Sequence, residues 1–231
     1  MSTIGGRGKF GVGRRVLSGI ITNGLTLYLD AGKTTSYPGT GTTWYDISGN
    51  GYNGTLNGGA GFNSANGGSI TFDGIDEYVS LPTLPVLTSF TVEMWFNCSG
   101  SGTTGPSDPT YNTLIGNSSV NRLLYGNATK KLLAQMGAGN HLSTGSIQLN
   151  TWASVHYVYN SSNTTAQWFI NGIADSILVG SIVFNTTKTI GSYNLSFYMM
   201  KGNISITKIY NRALSATEIL QNYNALKNRY I

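Results

Sequence analysis

Hydrolysis of a sugar linkage needs two carboxylates facing each other across the scissile bond, one held protonated and one ionised. This chain has little from which to build such a pair, with nine Asp and Glu among 231 residues. Glu93 is the only acid in the run 89–96 and is followed by Met94, Trp95, Phe96 and Asn97. Asp73, Asp76 and Glu77 cluster, but Gly74 and Ile75 between them read as a turn joining two strands. Nucleophilic catalysis needs a nucleophile beside a base. The two histidines are isolated: His141 lies in the loop-like GAGNHLSTG and His156 in the alternating run WASVHYVYN, and both read as structural. Cys98, the one cysteine, has no cationic neighbour in sequence and reads as an inert side chain. No Cys and His grouping suits zinc, so no catalytic residue is expected and the chain reads as a non-enzyme.

Oxygen ligands are plentiful, which makes calcium the metal to test. Asp46, Ser48, Asn50 and Gly51 follow the D-x-S-x-N-G opening of a calcium loop, but position twelve of that register is Asn57 instead of the bidentate Glu. Asp73 and Asp76 would have to supply the missing carboxylate. No cofactor is expected apart from calcium held by Asp46, Ser48 and Asn50. A sugar is held by aromatic stacking and neutral hydrogen-bonding groups, and fourteen Tyr with four Trp make that chemistry available. Tyr111, Tyr125 and Asn140, near the loop-rich stretches, are the candidate sugar contacts. Trp44, Trp95, Trp152 and Trp168 fall in or beside strands and are expected to fill the sandwich core or its rim.

Charge is unevenly spread. Arg7, Lys9, Arg14 and Arg15 account for four of the net +5 and sit in a Gly-rich stretch without an acid, so the rest of the chain is close to neutral. Residues 1–22 read as a basic arm and 23–231 as one folded domain. The arm has only Phe10 for stacking, so nucleic acid is not its expected partner. Arg7, Lys9, Phe10, Arg14 and Arg15 are instead expected to grip a neighbouring protein subunit. The apolar run near residue 20 is interrupted by Ser18 and Gly19, so no signal peptide is expected, and no apolar run approaches the ~20 residues of a membrane span.

Strands must position these groups. Leu25, Leu27 and Leu29 alternate with Thr26, Tyr28 and Asp30, which predicts one buried and one wet face. Similar runs occur at 69–74, 77–81, 89–96, 152–160, 166–172 and 203–211, separated by Gly, Asn, Ser and Pro clusters. In WYDISGNGYNG, Asp46, Ser48 and Asn50 can bond local backbone while Gly49, Gly51 and Gly54 take turn conformations. Asn171 and Gly172 predict a hairpin. Residues 97–112 read as a long exposed loop. Ser215 with Glu218 predicts a capped helix carrying Ile219, Leu220, Tyr223 and Leu226.

The segments GLTLYLDAG (24–32), TTWYDISGNGYNGTL (42–56), SITFDGIDEYVSL (69–81), SFTVEMWF (89–96), LNTWASVHYVY (149–159), WFINGIAD (168–175) and KIYNRALSATEILQNYNALKNRY (208–230) resemble, in this order, the laminin G-like, concanavalin A-like jelly roll family. The resemblance implies an all-β, two-sheet antiparallel jelly-roll sandwich with its first and last strands adjacent, an extended N-terminal arm and one short C-terminal helix. It also brings glucan hydrolases, whose Glu-x-Asp-x-x-Glu motif is absent here. A basic arm before such a body is similar to structural proteins of tailed phages. That implies a non-enzymatic virion component made in the host cytoplasm, a capsid decoration or accessory protein anchored to other virion proteins, chiefly the major capsid protein. The alternative it implies is a tail or fibre adhesin that binds host-surface carbohydrate. No membrane partner is expected.

Overall fold

The computed structural model describes residues 19–103, 111–116, 121–137, 139–182, 184, 188–193, 195 and 197–231. Arg7, Lys9, Phe10, Arg14 and Arg15 lie outside the described residues. In chain order the strands are β1 (Leu25–Asp30), β2 (Thr43–Trp44), β3 (Gly54–Asn57), β4 (Gly61–Asn63), β5 (Ser69–Asp73), β6 (Tyr78–Ser80), β7 (Phe90–Cys98) and β8 (Tyr111–Gly116). They continue as β9 (Asn121–Gly126), β10 (Leu132–Met136), β11 (Asn140–Leu142), β12 (Ala153–Asn160), β13 (Thr165–Ile170), β14 (Ile173–Val179), β15 (Thr189–Ile190) and β16 (Lys201–Tyr210), and helix α1 (Ala216–Leu226) follows.

Two antiparallel sheets form. The first runs β14-β13-β12-β7-β16-β5-β4, with β1 also paired to β16, and the second runs β11-β10-β9-β8-β15-β6-β3-β2. β1 and β16, the first and last strands, lie side by side, with Leu27 opposite Ile209. The period-2 pattern decides which side chains meet between the sheets. Val92, Met94 and Phe96 of β7 and Val155, Tyr157 and Tyr159 of β12 face Leu123, Tyr125, Ala134 and Met136 of the second sheet in one core. Trp44, Trp95 and Trp168 are buried, as predicted. At β13–β14 the turn residues Asn171 and Gly172 both take positive φ, 52° and 78°, the twist that a two-residue hairpin requires.

Three expectations are corrected. The wet face predicted for β1 is buried: Thr26 is 7%, Tyr28 4% and Asp30 0% exposed. Alternation reports that a strand has two faces, but not that a helix will cover the polar one. Here the C-terminal segment lies across the outer face of the first sheet, stacking Tyr230 on Trp95 at 4.2 Å and Tyr223 at 5.7 Å. Residues 19–22, assigned to the arm, are part of the body. Ile21 donates its N–H to Asn222 Oδ1 and accepts from the Tyr210 hydroxyl, and Gln221 Nε2 donates to the Gly19 carbonyl. Gly54 is not a turn residue but opens β3, where a Cβ would lie 2.7 Å from Val79 Cγ1.

The capping box predicted for α1 is present. Ser215 Oγ accepts from the Glu218 N–H, and the Glu218 carboxylate accepts from the Ser215 N–H and is forked by Arg212 at 2.6 and 3.0 Å. Ser215→Ala is expected to cost about 1 kcal/mol, read by urea denaturation.

Candidate functional site

The helix-covered face of the first sheet brings together a carboxylate, a histidine and a lysine. Glu93, His156 and Lys208 come from neighbouring strands β7, β12 and β16, whose register sets them in one row. Lys208 Nζ lies 2.8 Å from Glu93 Oε1, Asn222 Nδ2 donates to Oε2 at 2.8 Å, and His156 Nε2 is 3.3 Å from Oε2. Burial alone would raise the Glu93 carboxyl, but the Lys208 ammonium and His156 hold it at about 2. Burial pulls the Lys208 ammonium below its usual range. These shifts pull in opposite senses, and the geometry favours the ionised carboxylate, because Glu93 collects three partners. All three side chains are fully buried, so no substrate reaches them and the row is structural. The cleft of about 610 Å³ beside it, lined by Tyr28, Lys33, Leu226 and Arg229, is no better placed, since Arg229 Nη1 is already given to both oxygens of buried Asp30.

His141 is not in a loop. It lies on β11, 5% exposed, with Nδ1 3.3 Å from the Tyr157 hydroxyl and Nε2 3.1 Å from Ser176 Oγ, and burial lowers its imidazole. Burial raises the Cys98 thiol to about 11, which keeps it protonated. Asp73 and Glu77 meet at the predicted turn, where Asp73 accepts the Ile75 N–H and Glu77 the Asp73 N–H.

The residues expected to hold calcium do not fit the ion. Asp46 Oδ1 accepts the N–H groups of Tyr28 and Ser48, and Oδ2 accepts from the Tyr52 N–H and the Ser48 hydroxyl. Four donors use up the lone pairs that a cation would need. Asn50 Nδ2 donates to the carbonyls of Leu25 and Thr26, so Asp46, Ser48 and Asn50 pin the loop to β1. Among the described residues no group of three or more His, Cys, Asp or Glu could hold a metal.

The three sugar candidates separate. Tyr125 is corrected: its ring is 0% exposed in the core and its hydroxyl donates to the Ile147 carbonyl, because residue 125 falls on the inward side of β9. Tyr111 and Asn140 lie on the outward side of the second sheet. There the register places Arg122, Gln135 and Asn140 directly opposite one another on β9, β10 and β11. Arg122 Nε donates to Gln135 Oε1 at 2.5 Å, and Gln135 Nε2 donates to Asn140 Oδ1 at 2.9 Å. Arginine can only donate, so the orientation of both amides follows, and Asn140 Nδ2 is left as a donor at the exposed end of the row. The Arg122 guanidinium lies 3.9 Å from the Tyr193 ring centroid and 5.2 Å from that of Tyr198, and Tyr111 meets Tyr198 edge-on at 6.4 Å. A depression of about 140 Å³, lined by Gln135, Met136, Gly137, Gly139 and Asn140, adjoins the row.

Sequence reading missed Arg122, Gln135, Tyr193 and Tyr198. Alternation in NRLLYG and LLAQM would have marked Arg122 and Gln135 as outward, but the pairing of β9 with β10 sets them opposite each other, and the turn that brings Tyr193 and Tyr198 over Arg122 is more than seventy residues away in sequence.

A laminin G-like family model, described as the concanavalin A-like lectin/glucanases superfamily, matches residues 72–220. Among solved structures, the chain is similar to the botulinum neurotoxin type G receptor binding domain, at 16% identity and a TM-score of 0.64, over 87% of this chain and 51% of that one. It is similar to the binding domain of botulinum neurotoxin DC in complex with SialylT, at 18% identity and a TM-score of 0.64, over 89% of this chain and 52% of that one. It is also similar to domain 4 of AbnA, a GH43 extracellular arabinanase from Geobacillus stearothermophilus, in complex with arabinotriose, at 17% identity and a TM-score of 0.59, over 86% of this chain and 98% of that one. The chain spans about half the length of the two neurotoxin binding domains. No curated protein matches its sequence. At these identities the likeness shows a shared fold.

Proposed function

The chain belongs to the concanavalin A-like lectin/glucanases superfamily, and from that membership and the geometry of its second sheet we propose that it is a non-enzymatic carbohydrate-binding module. The observation that carries this reading is the Arg122–Gln135–Asn140 row, flanked by Tyr111, Tyr193 and Tyr198. Sugars present hydroxyl groups that both donate and accept and apolar ring faces that stack, and this row offers amides beside aromatic rings. The adjoining depression is smaller than the roughly 300–1,000 Å³ of an enclosed small-molecule pocket, which suits a glycan lying across a surface. The complex of the arabinanase domain with arabinotriose supports the reading, because this chain spans nearly all of that domain. The non-enzymatic part rests on the burial of Glu93 and His156.

The test is a glycan array probed with the full chain, followed by titration of the best ligand. Asn140→Ala and Tyr193→Ala are each expected to weaken binding about tenfold, near 1.4 kcal/mol, with the thermal transition unchanged. A blank array rejects the reading, and release of reducing sugar from a bound polysaccharide rejects its non-enzymatic part.

Such a module would serve a virion either as a capsid decoration or as an adhesin, with Arg7, Lys9, Phe10, Arg14 and Arg15 anchoring it to other virion proteins. Because residues 19–22 are bound into the body, the deletion that tests the anchor is 1–18. It should leave a folded domain that no longer joins particles, and unchanged incorporation rejects the anchor.

A further inference from the structure

The eight strands of the second sheet contain no Asp or Glu, and Arg122 is the only Lys or Arg in any of them. The first sheet, by contrast, pairs its buried charges, Lys208 with Glu93 and Asp30 with Arg229 of the C-terminal segment. Arg122 is therefore a cation on a neutral sheet, and its neighbours do not complete it. Nε is used by Gln135, while Nη1 is buried and has no hydrogen-bond partner among the described residues. The Tyr193 and Tyr198 rings hold the plane of the guanidinium without supplying an acceptor. Nη1 itself lies out of a ligand's reach, but Arg122 as a whole is only half-buried, and the group that best meets the open part of a guanidinium is a carboxylate.

Building on the carbohydrate-binding reading, we propose that the ligand is an acidic glycan whose ring carboxylate pairs with the open side of the Arg122 guanidinium. The ring's hydroxyls then lie along the Gln135 and Asn140 amides, and the outward donor Asn140 Nδ2 takes one of them. Uronic and sialic acids share this chemistry, a carboxylate carried directly on a pyranose ring beside several hydroxyls. Arg122 acts here as the residue that sets specificity, while Asn140, Tyr111 and Tyr193 bind any sugar that fits.

Isothermal titration against two matched pairs tests this: trigalacturonate with its trimethyl ester, and 3′-sialyllactose with lactose. The expected result is that the acidic member of one pair binds at least tenfold more tightly than its neutral counterpart, with affinity falling as salt rises. The pair that shows the difference identifies the source of the carboxylate. In Arg122→Gln, whose amide can still stack against Tyr193, the preference should disappear while residual binding stays near that of the neutral member. Arg122→Lys should keep part of the preference, because charge remains but the fork does not. Equal affinity within both pairs overturns the acidic ligand and leaves the carbohydrate reading in place. A preference that survives in Arg122→Gln overturns the assignment to Arg122. No binding to either pair together with a blank array overturns both.

Discussion

Glu93→Gln should lower the unfolding free energy by about 3–5 kcal/mol at pH 7, the usual cost of removing one partner from a buried charge pair. The cause is Lys208, which is fully buried and has only the Glu93 carboxylate as a charged partner within 3 Å. Glutamine keeps the shape and one acceptor oxygen but leaves the ammonium uncompensated in a region shielded from water. The pH dependence gives a second readout. The folded carboxyl sits at about 2 against the usual 4.5, so its stabilising contribution is whole above 4.5 and is lost as pH falls through about 2. Wild type should therefore lose stability on acidification across that window, and Glu93→Gln should lose much less of it. Adding Lys208→Met to Glu93→Gln should recover most of the loss, since the uncompensated ammonium is then gone and the new amide still has Asn222 as a partner. Urea titrations of the three proteins decide this, and a Glu93→Gln variant within 1 kcal/mol of wild type would show that the pair carries no weight.

Lys188→Met should do the reverse and stabilise the protein at pH 7, by about 2–4 kcal/mol. Lys188 is 1% exposed, and what its ammonium meets is the Asn121 carbonyl at 3.5 Å and the Phe184 ring at 4.4 Å. Among the described residues no carboxylate compensates it, and burial lowers its pKa from 10.5 to about 7. The unfolded chain thus holds the proton more firmly than the folded one. Wild-type stability should rise as pH climbs from about 7 to 10.5, and below about 7 the full penalty should be present. Methionine fills nearly the same space without a charge, so the variant should show no rise from this source. Thermal or urea unfolding between pH 6 and 10 measures both effects. A variant less stable than wild type at pH 7 would mean that the ammonium is better solvated than its contacts imply.

The two lysines show what a sequence conceals. Each stands in or beside a β-run, and nothing in TKIYN or TTKTIG separates a buried ammonium with a carboxylate from one without. The difference arises because β16 pairs with β7 in a register that sets Lys208 opposite Glu93, whereas Lys188 meets a carbonyl and an aromatic ring among the described residues. The burial of Thr26, Tyr28 and Asp30 has a similar origin, since their covering comes from residues almost two hundred positions away.

The sequence by itself determined the sandwich, the places of β1, β5, β6, β7, β12, β13 and β16, the Asn171–Gly172 hairpin and the capped C-terminal helix, because these follow from alternation, turn chemistry and capping over a few neighbouring residues. It also nominated Tyr111 and Asn140 as sugar contacts, which the glycan titrations test. Tertiary structure alone decided that Tyr125 faces the core, that the Asp46 loop spends its oxygens on backbone donors, and that Arg122, Gln135 and Asn140 share one row. The physical reason is that a row across a sheet depends on which strands pair and in what register. That pairing is set by the packing of the whole core, which no local run of residues specifies.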